Sequence, residues 1–176
     1  MPEDHESEQV PVFLGKATGK RFGARDLFLA SHTVVVMMAI TIVETRLKDI
    51  LLSKMRPDLS NNLSASLFEG YGPLGSFSAR IDLAFAFGLI EPHIRADLRT
   101  LKDIRNAFAH SATMRHLNDK EIDHLFQKFK QYKKAKSNLE LLQIKLAEVL
   151  TALWDGDADQ AKIMGMFFPS DPAPKP

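Results

Sequence analysis

The sequence predicts an all-α fold, a compact bundle of about five helices, on three observations. Apolar residues recur at spacings of three and four in several separate stretches, the period of a helix with one buried face. No stretch alternates apolar and polar residues over the length of a strand. Gly and Pro mark the turns Gly70–Gly75 and Gly88–Pro92 between two of those stretches.

Composition sets the outer bounds. A chain of 176 residues, 45% hydrophobic and 26% charged, is that of one globular domain. A net charge of +1 excludes a molecule whose whole surface grips nucleic acid, though it leaves room for a local basic patch. There is no cysteine, which rules out disulfides, thiol catalysis and Cys-based zinc sites and fits a reducing compartment. The opening stretch MPEDHESEQ lacks the apolar core of a signal peptide. A cytoplasmic location is therefore expected. Leu27–Val43 carries no Asp, Glu, Lys or Arg, but its 17 residues include Ser31, His32, Thr33 and Thr41. It reads as a buried central helix, not a membrane span.

Taken in order, residues 1–20 form a tail without a sustained period, in which Val10, Val12, Phe13 and Leu14 are the candidates for docking on the body. Gly15–Lys20 has some letters of a phosphate-binding loop, but three residues separate its glycines and Arg21 stands where Ser or Thr would hold magnesium. The first helix is expected from about Ala24 to Met55. Its first half is apolar nearly all round and should be buried; its second half is amphipathic, with Glu44 and Lys48 as an i,i+4 pair. Pro57 ends it. Asp58–Ser66 is a short helix or ordered loop anchored by Leu59 and Leu63.

Gly70-Tyr71-Gly72-Pro73-Leu74-Gly75 spells a dinucleotide fingerprint by letter only. No strand precedes it, and Pro73 removes an N–H from the loop, so a tight turn is expected. Ser76 is a good N-cap for a helix carrying Phe77, Ile81, Ala84, Phe85 and Gly88 on one side. Pro92 opens the next helix, whose Ile94, Leu98, Leu101, Ile104 and Phe108 make the cleanest apolar stripe in the chain. Asn118 with Glu121 looks like a capping box ahead of Ile122, Leu125, Phe126 and Phe129. A basic run, Lys128, Lys130, Lys133, Lys134 and Lys136, follows. Leu139, Leu142, Leu146, Val149, Leu150 and Leu153 form the last stripe, before Asp155-Gly156-Asp157. Ile163–Phe168 is an apolar segment expected to pack back, and the four prolines from Pro169 onward mark a disordered end. The expected domain is thus 21–168, between tails 1–20 and 169–176.

One polar group could carry chemistry. Arg105, Asn106 and His110 close the Pro92 helix, with Asp103 nearby as an accessory candidate. Asn106 and His110 share a face, whereas Arg105 and His110, five apart, point about 140° from each other on an ideal helix. A helix end or a second subunit would bring them together. Their chemistry would be RNA cleavage without metal: a His near neutral pKa as general acid or base, an Arg to neutralise the pentacoordinate phosphate, and Asn106 to orient the imidazole or bind phosphate. The structural alternative is that cationic side chains simply suit a helix C-terminus, where His110 would cap. Lys128, Lys130, Lys133 and Lys134 are either a solvated face or a surface for RNA or an acidic partner. His32 should be a hydrogen-bonded core residue. His93, His116 and His124 do not have metal-ligand spacing, so no metal and no cofactor is assigned.

The stretch from Phe68 to Arg80, FEGYGPLGSFSAR, resembles the mannitol operon repressor family of bacterial proteins, through the Gly-Pro-Leu-Gly turn, the polar pair and Arg that follow, and the apolar helix. The likeness continues through Phe87-Gly88-Leu89-Ile90 and the Arg-x4-His of Arg105–His110, covering about Phe68 to Glu121. It implies an all-helical transcriptional regulator. The Glu91–His110 helix carries a core stripe and the chain is not basic, so regulation is expected through a protein partner more than by DNA base readout. Arg105-Asn106-Ala107-Phe108-Ala109-His110 also resembles the signature of HEPN domains, dimerising helical bundles of which many are metal-independent endoribonucleases of toxin or defence systems. That likeness implies a homodimer, RNA as the substrate, and Arg105 and His110 as catalytic residues.

Overall fold

In the computed structural model, residues 13–14, 21–22, 24–111 and 115–154 are described, with side chains from His32 onward. Six α-helices follow in order: α1 (Ala24–Ser53), α2 (Asn61–Phe68), α3 (Phe77–Ala86), α4 (Pro92–Ala109), α5 (Lys120–Phe126) and α6 (Asn138–Ala152). A 3-10 turn at Tyr132–Lys134 lies between the last two. Ahead of α1, two-residue strands β1 (Phe13–Leu14) and β2 (Arg21–Phe22) pair antiparallel, Phe13 opposite Phe22. The expected tail segments Ile163–Phe168 and Pro169–Pro176 lie outside the described residues.

Helices α1 and α4 form the centre and run antiparallel. His32 near the start of α1 meets His116 beyond the end of α4, while Glu44 further along α1 meets Arg105. The α4 stripe behaves as its spacing predicts: Ile94, Leu98, Leu101, Ile104 and Phe108 are all buried. They face Val36, Ala39, Ile40, Val43, Leu47 and Leu51 of α1, joined by Phe77 and Ile81 of α3 and by Leu142, Leu146 and Val149 of α6 in one core. Burying each such side chain contributes roughly 1.5–3 kcal/mol.

The caps follow local chemistry. Ser60, Ser76 and Ser137 each accept a backbone N–H three residues on, from Leu63, Ala79 and Glu140. Gly88 adopts φ +69° just after α3, where an L side chain would be strained. The start of α5 differs from expectation. Asp119, not Asn118, is the N-cap, and its carboxylate accepts the N–H of His116 at 2.8 Å, reaching backwards instead of into the helix. Leu63, expected as an anchor, is half exposed, because α2 turns Phe68 inward instead. Leu139 is likewise exposed, and Leu141 takes the core position.

The largest departure concerns α1. Its apolar first half was expected to be buried all round. Val36, Ala39, Ile40 and Val43 are buried, yet Val34, Val35, Met38 and Ile42 are 53%, 45%, 63% and 36% exposed. Among the described residues the bundle covers one side of this helix, and the other side presents an apolar stripe. No helix in them is long and apolar enough to cross a membrane.

Candidate functional site

The end of α4 was the sequence candidate, and the structure divides it. Arg105 turns toward α1, where its Nε lies 3.4 Å from Glu44 Oε1, and its Nη1 reaches Asn106 Oδ1 at 3.5 Å. Neither Glu44 Oε1 nor Arg105 Nε has a well-aligned hydrogen bond, so the two charges attract across the gap without a linear bond. The expected Glu44–Lys48 pair is replaced: Lys48 pairs with Glu69 at 3.7 Å, because tertiary partners outbid a weak local pair. His110 is the C-cap residue. Its backbone N–H donates to Asn106 O at 2.9 Å, while the imidazole is exposed and caps nothing among the described residues. Arg105 is thus engaged with Glu44 and Asn106, and no hydrogen bond or ion pair joins it to His110 among the described residues.

Asp103 faces yet another way, toward Lys102 at 3.0 Å and Lys128 at 3.2 Å. Burial raises its carboxyl, but the hydrogen bonds from the two lysines prevail and hold it below the usual carboxylate range. Of the basic run, Lys128 is thus engaged. Lys130, Lys133 and Lys134 are exposed on and beside the 3-10 turn and make no ion pair among the described residues. His93 and His124 are exposed, and His32, expected in the core, is half-buried with its ring edge-on to His116 at 4.5 Å. Burial first, and His116 second, lower its pKa.

Three features escaped the sequence reading. The first is the charge state of α4. All four of its basic side chains meet carboxylates: Arg95 and Arg99 share Asp82 Oδ1 at 2.7 and 2.6 Å, Lys102 meets Asp103, and Arg105 meets Glu44. Spacing along the chain cannot show this, since two of the three acceptors belong to other helices.

The second is the turn at Gly70–Gly75. Leu74 N–H donates to Leu67 O and Gly72 N–H to Glu69 O, folding the loop against the end of α2. Gly72 is packed so closely that a Cβ would sit 2.3 Å from Ser66 O. Arg80 then donates through Nε to Leu74 O at 2.7 Å and through Nη2 to Phe68 O at 2.8 Å. The locked turn holds Tyr71 wholly in solvent. An exposed Tyr on a fixed turn is a side chain suited to anchoring a protein contact.

The third is a polar cleft of about 360 Å³ lined by Asn118, Asp123, Tyr132, Lys136, Ser137 and Asn138. Asp123 accepts from Asn138 at 3.0 Å, Tyr132 at 2.9 Å and Gln127 at 3.0 Å, which together hold its carboxyl below the ordinary range. These groups satisfy one another and tie α5 to α6.

Residues 30–152 match the family model described as Mannitol repressor, well over half of the chain. No curated protein and no solved structure matches it.

Proposed function

The chain belongs to the mannitol repressor family, and from that premise we propose a repressor-like transcriptional regulator that works through protein–protein contacts more than by reading DNA bases. The carrying observation is that every Arg and Lys of α4 is held in an ion pair. A helix that enters a major groove offers free cations to phosphates and base edges. Here Arg95 and Arg99 are held by one shared carboxylate, Asp82, Lys102 by Asp103 and Arg105 by Glu44, and the opposite side of the helix is sealed in the core. The locked turn bearing Tyr71 supports a protein-docking role, with exposed Lys130, Lys133 and Lys134 suited to an acidic partner. The cytoplasmic location and the homodimer belong to the same proposal.

The test is a mannitol-operon reporter together with a promoter-DNA titration. Tyr71→Ser should relieve repression with the helical content unchanged, and the wild-type protein should show no sequence-dependent retention of the promoter at physiological salt. Specific retention that Arg99→Ala abolishes would overturn the proposal.

A second reading is the metal-independent endoribonuclease. The exposed imidazole of His110 favours it, while the Glu44–Arg105 pair opposes it by engaging the guanidinium. Incubation of a mixed RNA pool in EDTA decides it: cleavage by wild type, lost in His110→Ala, would establish that reading, with Lys128, Lys130, Lys133 and Lys134 as the RNA surface.

A further inference from the structure

The exposed stripe on α1 holds four of the eight large apolar side chains that are exposed among the described residues, and the described chain ends beside it. Val34, Met38 and Ile42 follow at intervals of four with Val35 alongside, so they line one side of the helix. Arg46, one turn beyond Ile42, is where α6 ends. Its Nε donates to Leu153 O at 3.1 Å, and its guanidinium lies over the Trp154 ring, 4.3 Å from the centroid. Residues 155–176 therefore start one helical turn from the stripe.

We propose that the segment Ile163-Met164-Gly165-Met166-Phe167-Phe168 is the occupant of this stripe. Five of its six residues are large and apolar, and it is bracketed by the polar run Asp155–Lys162 and by Pro169. The reach suffices. From Arg46 back to Val34 is roughly 18 Å along the helix, and the intervening residues 155–162 extend to about 27 Å. The size also fits. Four side chains make a patch of a few hundred Å², well short of the roughly 800 Å² that each member of a stable dimer buries, and on the scale of one short segment. The tether raises the local concentration of the segment, so few contacts suffice to hold it. The α1 stripe and the segment thus form one closed apolar contact, separate from the Tyr71 turn of the proposed function.

The absence of cysteine from these 176 residues allows a clean test in the intact chain. Met38→Cys with Met166→Cys is treated with a short bismaleimide, and the bridged peptides are mapped by mass spectrometry. The control is Ser53→Cys with Met166→Cys. Ser53 is exposed and lies seven residues beyond Arg46 along the helix, at the end away from the stripe, against eight for Met38 on the stripe itself. The expected result is an intrachain bridge from position 38 formed several-fold faster than from position 53. Equal rates would show a free tether and overturn the proposal. Bridges only between chains, 38 to 38, would overturn it in favour of a second copy on the stripe. As an independent measurement, Phe167→Ser with Phe168→Ser should raise binding of a hydrophobic dye several-fold, and adding Met38→Ser should reverse most of that rise. No change in dye binding would count against the contact.

Discussion

Arg105 on α4 and Glu44 on α1 stand 3.4 Å apart across the two central helices, with the glutamate side chain only 17% exposed. The pair registers the antiparallel helices, and each charge is the other's main compensation. A double-mutant cycle of Glu44→Gln and Arg105→Gln should give a coupling of about 1 kcal/mol in urea denaturation. Glu44→Gln alone should cost more than Lys48→Gln, whose partner Glu69 is well exposed. Equal costs would remove the registering role.

The Gly70–Gly75 turn should respond to substitution in a fixed order. Gly72→Ala places a methyl against the Ser66 and Leu67 carbonyls and should cost about 3 kcal/mol, the upper end for overpacking. Gly70→Ala meets open space but keeps φ +54°, and should cost about 1 kcal/mol. Arg80→Ala removes charged donors from three carbonyls, those of Leu74, Phe68 and Gly75, and should cost about 2 kcal/mol. Thermal melts of the three variants check the order, and hydrogen exchange at residues 70–76 should quicken in Arg80→Ala.

Acid should weaken the fold through His32. Its folded pKa is depressed below the ordinary 6.5 by burial and by His116. Below 6.5 the unfolded chain takes up the proton first, so stability is complete above that pH and falls as the pH drops toward the folded value. His32→Gln should flatten the change in urea midpoint between pH 7 and pH 5.5 relative to wild type. An unchanged slope would place the acid sensitivity elsewhere.

Lys145 is 3% exposed and bonded to Asp97 at 2.9 Å and Glu148 at 2.7 Å. Burial opposes its charge, but the two carboxylates prevail and raise its pKa. Lys145→Met keeps most of the packing yet strands Asp97, and should cost about 3 kcal/mol. Adding Asp97→Leu should recover most of that loss in the melting temperature.

What the chain reveals before folding depends on whether the information is local. The α4 stripe and the Ser76 cap were legible because spacing and capping act within a few residues. Leu139 and Leu141 of α6 differ by two positions, and a helix rich in leucine does not say which side its neighbours will cover. Helix α1 is the extreme case, apolar on both sides, so its pattern could announce a helix but not an exposed stripe. At the candidate site, the likeness of Arg105–His110 to a catalytic signature was visible, whereas its partner Glu44 was not. That pairing depends on the register of two helices whose paired positions lie 61 residues apart in sequence.

The bond from Arg46 to the carbonyl of Leu153 joins positions 107 residues apart. Synthesis proceeds from the N-terminus, so α1 leaves the ribosome long before the helix that closes its core side. Until then Val43, Leu47 and Leu51 have no covering from α6, and the nascent chain carries two open greasy sides on one rod. Once α6 docks the core side is closed, and the stripe of Val34, Val35, Met38 and Ile42 is the greasy side that remains among the described residues.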